Sequence, residues 1–202
     1  RQLEAQIRLD REQGLQPFCV IGNAVTVNTG AVDDLDAIAD LCEKENLWFH
    51  VDGAIGAMLA LSEKYKHIIK GMERADSIAF DLHKWMYIPY EAGCTLVRKG
   101  LHHYRAFSMH ADYLAHEERG AAAGDIWFSD YGVELSRGFK ALKIWMSIKE
   151  HGIKKFGRLV TQNVEQVQYL KALVMSNPKL ELLASAPMNI LCFRYTMPST
   201  SD

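Results

Sequence analysis

The chain has 202 residues, 49% of them apolar, and a formal net charge of −2. That length and composition suffice for one sizeable core, or for one domain and part of another. The balance excludes a nucleic-acid surface, which needs a basic excess. Interleaved charges and the lack of any apolar stretch of roughly 18–20 residues give no sign of a membrane patch or span.

The N-terminal segment RQLEAQIRLDREQG is charged and amphipathic, not a signal peptide. Leu3, Ile7 and Leu9 lie near helical spacing over 1–13, with Gly14 as the stop. Phe18 to Val25 is a nearly continuous apolar run, the pattern of a strand buried on both faces. VNTGAVDD supplies turn residues, and Asp33 or Asp34 then caps a helix to about Asn46, with Leu35, Ile38, Leu41 and Cys42 on one face. Trp48–Val51 reads as a strand ended by Asp52, Met58–Met72 as a helix, and Ser77–Phe80 and Gly93–Arg98 as further strands.

This alternation is the rhythm of an α/β fold with a mostly parallel sheet and helices on both faces. Ligands of such sheets gather beyond the carboxyl ends of the strands. Thr26, Asp52 and the pair His83-Lys84 all fall at such ends, so one crevice is expected to collect them.

From Leu101 to Tyr131 the pattern loosens, and HEERGAAAGD, at 116–125, reads as a mobile loop. Val133–His151 and Ile153–Ser176 read as long helices, and LELLASAP and NILCFRY as two short strands able to form a hairpin. Residues 1–140 are expected in a large domain, and 141–202 in a linking helix and the beginning of a small α+β domain.

The four cysteines, Cys19, Cys42, Cys94 and Cys192, form no C-x-x-C pair and match no metal or disulfide framework. As small apolar residues they point to a reducing, cytoplasmic compartment. The chain opens inside a helical pattern without a start methionine and closes just after an apolar strand, so a piece of a longer protein is expected.

The chemistry concentrates in FDLHKWMYIP, at 80–89, and WFHVDGAIGA, at 48–57. Lys84 follows an apolar strand and is flanked by His83 and Trp85. A lysine in such a partly desolvated place serves as a nucleophile or forms a Schiff base, as pyridoxal phosphate requires, or else is an ordinary surface charge. That coenzyme also needs a carboxylate against its pyridine nitrogen. Asp52 ends a buried-looking strand, beside Gly53, Ala54 and Gly56, which let a flat ring approach the backbone; the alternative is a simple helix cap. His83 contacts phosphate, shuttles a proton or is a core histidine. Thr26 and Asn28 either hydrogen-bond a ring substituent or make the turn. No G-x-G-x-x-G, G-x-x-x-x-G-K-[ST] or G-x-S-x-G occurs, and the eight histidines include no H-E-x-x-H, so no metal is assigned.

NTGAVDDLDAIADLCEKENLWFHVDGAIGA followed by ADSIAFDLHKW resembles the group II pyridoxal-phosphate-dependent amino-acid decarboxylases, which include aromatic-L-amino-acid, histidine, tyrosine and glutamate decarboxylases. The H-V-D and H-K motifs, 32 positions apart from Asp52 to Lys84, make a joint match, and GFKALKIW continues it. The resemblance implies part of a fold type I large domain and a homodimer with its site at the subunit interface. It implies decarboxylation of an L-amino acid, more aromatic than acidic, to the amine and CO2.

By the same resemblance Lys84 is the Schiff-base lysine, Asp52 pairs with the pyridine nitrogen, Ala54 packs on one ring face and His83 lies beside the coenzyme. Asp81 falls where many members have an asparagine near the phosphate, and a carboxylate there repels phosphate unless a donor bridges the two. Thr26 keeps a hydroxyl on the far side of the ring, while Val25 and Val27 depart from the glycine and threonine of many members. Tyr113, in HADYLAH, matches the tyrosine of a mobile catalytic loop that returns a proton to the substrate carbon. Arg137, in ELSRGF, matches an arginine implicated in substrate contacts. Other parts of the family's site precede residue 1, so little activity is expected of this piece alone. The competing readings are an aldehyde-forming deaminase or carbon–carbon lyase with the same coenzyme, and a non-catalytic scaffold.

Overall fold

The computed structural model describes residues 1–108, 119–120, 124 and 127–197. In chain order its elements are α1 (Gln2–Glu12), β1 (Cys19–Asn23), α2 (Leu35–Glu45), β2 (Trp48–Asp52), β3 (Ser77–Asp81), α3 (Leu82–Trp85), β4 (Gly93–Val97), α4 (Gly100–Phe107), α5 (Lys140–His151), α6 (Ile153–Ser176), β5 (Leu180–Leu182) and β6 (Phe193–Tyr195). The main sheet runs β1-β2-β3-β4. β1, β2 and β3 are parallel, and β4 returns antiparallel along β3. Asn23, Asp52 and Ala79 lie level across the sheet, so the carboxyl ends of the parallel strands share one rim.

Asp34 caps α2, its Oδ1 accepting the Ala37 N–H at 3.1 Å. Asn46 ends the helix in the left-handed conformation, with φ of 53°. α2 lies close on the sheet because residue 22 is glycine: a Cβ there would come within 2.8 Å of Leu35 and 3.2 Å of Phe49. On the opposite face α4 brings the His102 ring 6.3 Å from that of Trp48. Adjacent strand residues point to opposite faces, so Phe49 toward α2 and Trp48 toward α4 give the sheet helices on both sides. Val20, Phe49 and Val51 join Phe156, Val160 and Val164 of α6 in one buried cluster. β5 and β6 pair as the expected antiparallel hairpin, Leu180 opposite Tyr195.

Several elements differ from the sequence expectations. β1 is shorter than Phe18–Val25 and is not buried on both faces, for Val20 is buried but Ile21 is 61% exposed. The helix expected over Met58–Met72 is replaced by short 3-10 turns at Gly56–Leu61, Lys66–Ile69 and Met72–Arg74. Two features oppose a continuous helix there. The Ser62 hydroxyl accepts the Tyr65 N–H and bonds Thr161. Gly71 has φ of 95° and touches the start of α2 so closely that a Cβ would lie 2.3 Å from the Asp36 nitrogen. α5 begins at Lys140 rather than Val133, because Arg137 Nε turns back to the Glu134 carbonyl and Gly138 favours helix poorly. The loop expected at 116–125 lies outside the described residues except for 119, 120 and 124. No helix among the described residues is long and apolar enough to cross a membrane.

Candidate active site

Asp52 closes β2, and the backbone around it is held from both sides. The Ala24 N–H donates to the Asp52 carbonyl at 2.9 Å, the Gly53 N–H to Ala79 at 2.8 Å, and the Asp81 N–H to Ala54 at 3.3 Å. The turn fits only because it lacks bulk. A Cβ on Gly53 would stand 2.7 Å from the Ala57 Cβ, and one on Gly56 would strike the Ala24 backbone at 2.8 Å. Asp52 Oδ1 accepts the Ala54 N–H at 3.0 Å. The residue is exposed, and its other oxygen meets no donor among the described residues.

β3 ends at Asp81 and passes directly into α3, a single turn whose orientation is set by burial of Leu82 and Trp85. His83 and Lys84 are left facing outward. Lys84 Nζ lies 2.6 Å from Asp81 Oδ2 and its side chain is 41% exposed. His83 Nδ1 accepts the Ala92 N–H at 3.0 Å, so the neutral ring carries its proton on Nε2. The Tyr90 ring packs against it at 4.8 Å between centroids.

Register decides whether these groups can cooperate. Asp52 is opposite Ala79, and Asp81 is two residues further along β3, so both carboxylates project from the same sheet face. The amine of Lys84 is tied to that face through Asp81. An amine, a carboxylate with one open oxygen, an imidazole of fixed tautomer and a floor of small residues together form a donor set suited to a planar coenzyme that bears an aldehyde.

Other expected site residues are placed differently. Thr26 makes the turn: its Oγ1 accepts the Ala31 N–H at 3.0 Å and shares a proton with Thr29 Oγ1 at 2.9 Å. That hydroxyl therefore takes part in the turn, one of the two roles its residue type allowed. Arg137 lines a hollow of about 800 Å³ with Trp48, Ser77, Val97, His102 and Tyr131. Trp48 and Ser77 begin β2 and β3, so this hollow is at the other end of the strands from Asp52 and Asp81. The structure does not bring Arg137 to the Lys84 group. Tyr113 lies outside the described residues.

Two polar arrangements went unnoticed in the sequence. Ser77 Oγ, buried, accepts Trp48 Nε1 at 2.8 Å and bonds His50 Nδ1 at 2.7 Å, on the face that bears Asp52. Asn163 of α6 accepts from both Trp85 and Tyr87, one and three residues after Lys84. His50 stands two residues before Asp52 and was visible in principle, whereas nothing local marks Asn163.

Electrostatics near the rim are simple. Lys140 forms an ion pair with Glu91, whose hydrogen bond from the ammonium holds the carboxyl below its usual range, while Glu91 raises Lys140. Burial raises the Cys94 thiol on β4, and burial pushes Cys42 up to about 11. No cluster of potential metal ligands occurs among the described residues.

Comparison with known proteins gives a consistent pattern. The profile of the pyridoxal-dependent decarboxylase conserved domain matches residues 1–196. The aromatic-L-amino-acid decarboxylase of Bacillus atrophaeus is 40% identical over 193 residues, covering 96% of this chain and 40% of that protein. The crystal structure of mouse CSAD in apo form matches with a TM-score of 0.86 and 31% identity, over 98% of this chain and 40% of that one. Oryza sativa TDC with PLP and tryptamine matches with a TM-score of 0.87 and 26% identity, over 96% of this chain and 39% of that one. The chain therefore spans about two fifths of the length of these relatives.

Proposed function

This chain belongs to the pyridoxal-dependent decarboxylase family, and from that premise we propose that it carries the coenzyme lysine of an enzyme that decarboxylates an L-amino acid to the amine and CO2. The observation that carries the reading is the Lys84 amine, tied by Asp81 to the sheet face from which Asp52 projects. The similarity to the Bacillus atrophaeus enzyme, named for aromatic L-amino acids, favours an aromatic substrate over an acidic one.

The residues present fit pyridoxal phosphate. When bound, it supplies a ring that accepts the electrons of the breaking carbon–carboxylate bond. Lys84 would hold it through its aldehyde. Asp52, with one oxygen spent on Ala54 and the other open, would keep a proton on the pyridine nitrogen. Ala54 and the backbone of Gly53 form a floor without protruding side chains. His83 presents an Nε2–H donor, its other nitrogen being fixed by Ala92. Asp81 holds the lysine ammonium in place through their ion pair and, as a carboxylate, is not the group that would take the coenzyme phosphate. Tyr113 is assigned the return of a proton to the substrate α-carbon on the strength of the resemblance alone. A homodimer and a cytoplasmic location belong to the same reading.

The test is product analysis of the full-length protein with pyridoxal phosphate across aromatic and acidic L-amino acids. Amine and CO2 from an aromatic substrate support the proposal. Aldehyde with ammonia shifts it to the deaminase reading, and absence of turnover with every substrate favours the scaffold.

A further inference from the structure

α3 is only one turn long, and such a short helix cannot orient Lys84 by its own hydrogen bonds. Its N-terminal side is fixed by the residue that leads into β4: the Leu82 N–H donates to the Ala92 carbonyl at 2.9 Å, and the Ala92 N–H returns to His83 Nδ1 at 3.0 Å. The C-terminal side is fixed from much further away. Trp85 Nε1 donates to Asn163 Oδ1 at 2.8 Å across 78 residues of sequence, and the Tyr87 hydroxyl donates to the same oxygen at 2.6 Å. The indole N–H has no acceptor capacity, so the amide oxygen, not its nitrogen, faces these residues. The Asn163 amide nitrogen is occupied in turn by Gln166 Oε1 at 3.1 Å. Val160 and Val164, on either side of Asn163 along α6, are fully buried in the core. The oxygen is therefore a fixed point, and the two residues that grip it follow the lysine by one and three positions.

We infer that Asn163 is a positioning residue for Lys84, anchoring the turn from which the amine reaches the coenzyme. The inference rests on the reading of Lys84 as the coenzyme lysine. Asn163 touches no reacting group itself. It acts by holding Trp85 in its buried place and Tyr87 in its left-handed backbone conformation, φ 57°, so that α3 presents one direction to the rim instead of several.

The experiment uses the full-length protein and its pyridoxal phosphate dissociation constant, read by visible absorbance titration. Asn163→Leu strands two donors beside Lys84 and is expected to raise that constant roughly tenfold. Asn163→Asp keeps an acceptor oxygen and is expected to stay within about threefold of the parent. Substrate KM is expected to be unchanged in both, and thermal unfolding of the coenzyme-free proteins reads the fold separately. An Asn163→Leu protein that folds and binds the coenzyme within about twofold of the parent overturns the inference. If that variant does not fold, Tyr87→Phe decides, since Tyr87 is 54% exposed and the change removes only one donor: a rise of about threefold supports the anchor, and an unchanged constant overturns it. Borohydride reduction of the parent keeps the two claims apart. Label missing from Lys84 removes the functional reading, whereas label on Lys84 with unaltered variants removes only the role of Asn163.

Discussion

The two ends of the main sheet are built in different ways. At the carboxyl rim, Asp52 and Asp81 stand on backbone pinned across strands, Gly53 to Ala79 and Asp81 to Ala54, with glycines where any side chain would collide. At the opposite end, Trp48, His50 and Ser77 satisfy one another through side chains, and Arg137 reaches back to the carbonyl of Glu134. The first end fixes polar groups yet leaves them accessible: Lys84 is partly exposed and one Asp52 oxygen is open. The second end spends its polar atoms on its own structure. Support through main-chain bonds fixes the backbone without drawing on the side-chain atoms it carries.

That contrast can be broken by substitution. Lys84→Ala is expected to have the largest effect, lowering turnover of the full-length enzyme by roughly a thousandfold or more and abolishing borohydride-trapped coenzyme. Asp52→Ala is expected to retain coenzyme but lower kcat by about a hundredfold or more, because the ring nitrogen loses its carboxylate; equal losses in coenzyme binding and kcat would count against that role. Gly53→Ala forces a Cβ to 2.7 Å from Ala57 and is expected to cost about 1–3 kcal/mol, read as a fall of several degrees in Tm. By contrast, Arg137→Gln at the other end is expected to leave kcat within about twofold, a change too small to place it at the reacting atoms.

The smallest expected effect concerns pH. The Glu91 carboxyl is lowered by its hydrogen bond from Lys140, so this pair stabilises above the ordinary carboxylate pKa and is lost as pH falls through the lowered value. Urea unfolding of the parent and Glu91→Gln should therefore differ slightly near neutrality and converge in acid. Cys42 works in the other direction. Its thiol is raised to about 11, so its contribution is full below the ordinary thiol pKa and disappears as pH climbs toward that value. Slow alkylation of native Cys42 near pH 8 would agree with this.

The carboxyl rim was legible in the sequence because its signals are local: an apolar strand, then Asp52 with small residues, and another, then His83-Lys84. The parallel rhythm followed from the same spacing. What could not be read there depends on contacts between distant segments. The apolar pattern over Met58–Met72 suits a helix, and only the close approach of Gly71 to α2 and the bond from Ser62 to Thr161 show why it breaks into turns. Thr26 suited a coenzyme contact or a turn by residue type alone, and only the backbone path to Ala31 shows that its hydroxyl takes part in the turn. Asn163 is one polar residue on an amphipathic helix, and its partners lie more than seventy positions earlier.

The most direct test of the central claim is a crystal structure of the full-length protein with pyridoxal phosphate. The predicted result is the coenzyme's aldehyde carbon joined to Lys84 and its pyridine nitrogen within hydrogen-bond distance of an Asp52 oxygen. A coenzyme attached to another lysine, or a ring nitrogen turned away from Asp52, would contradict the account.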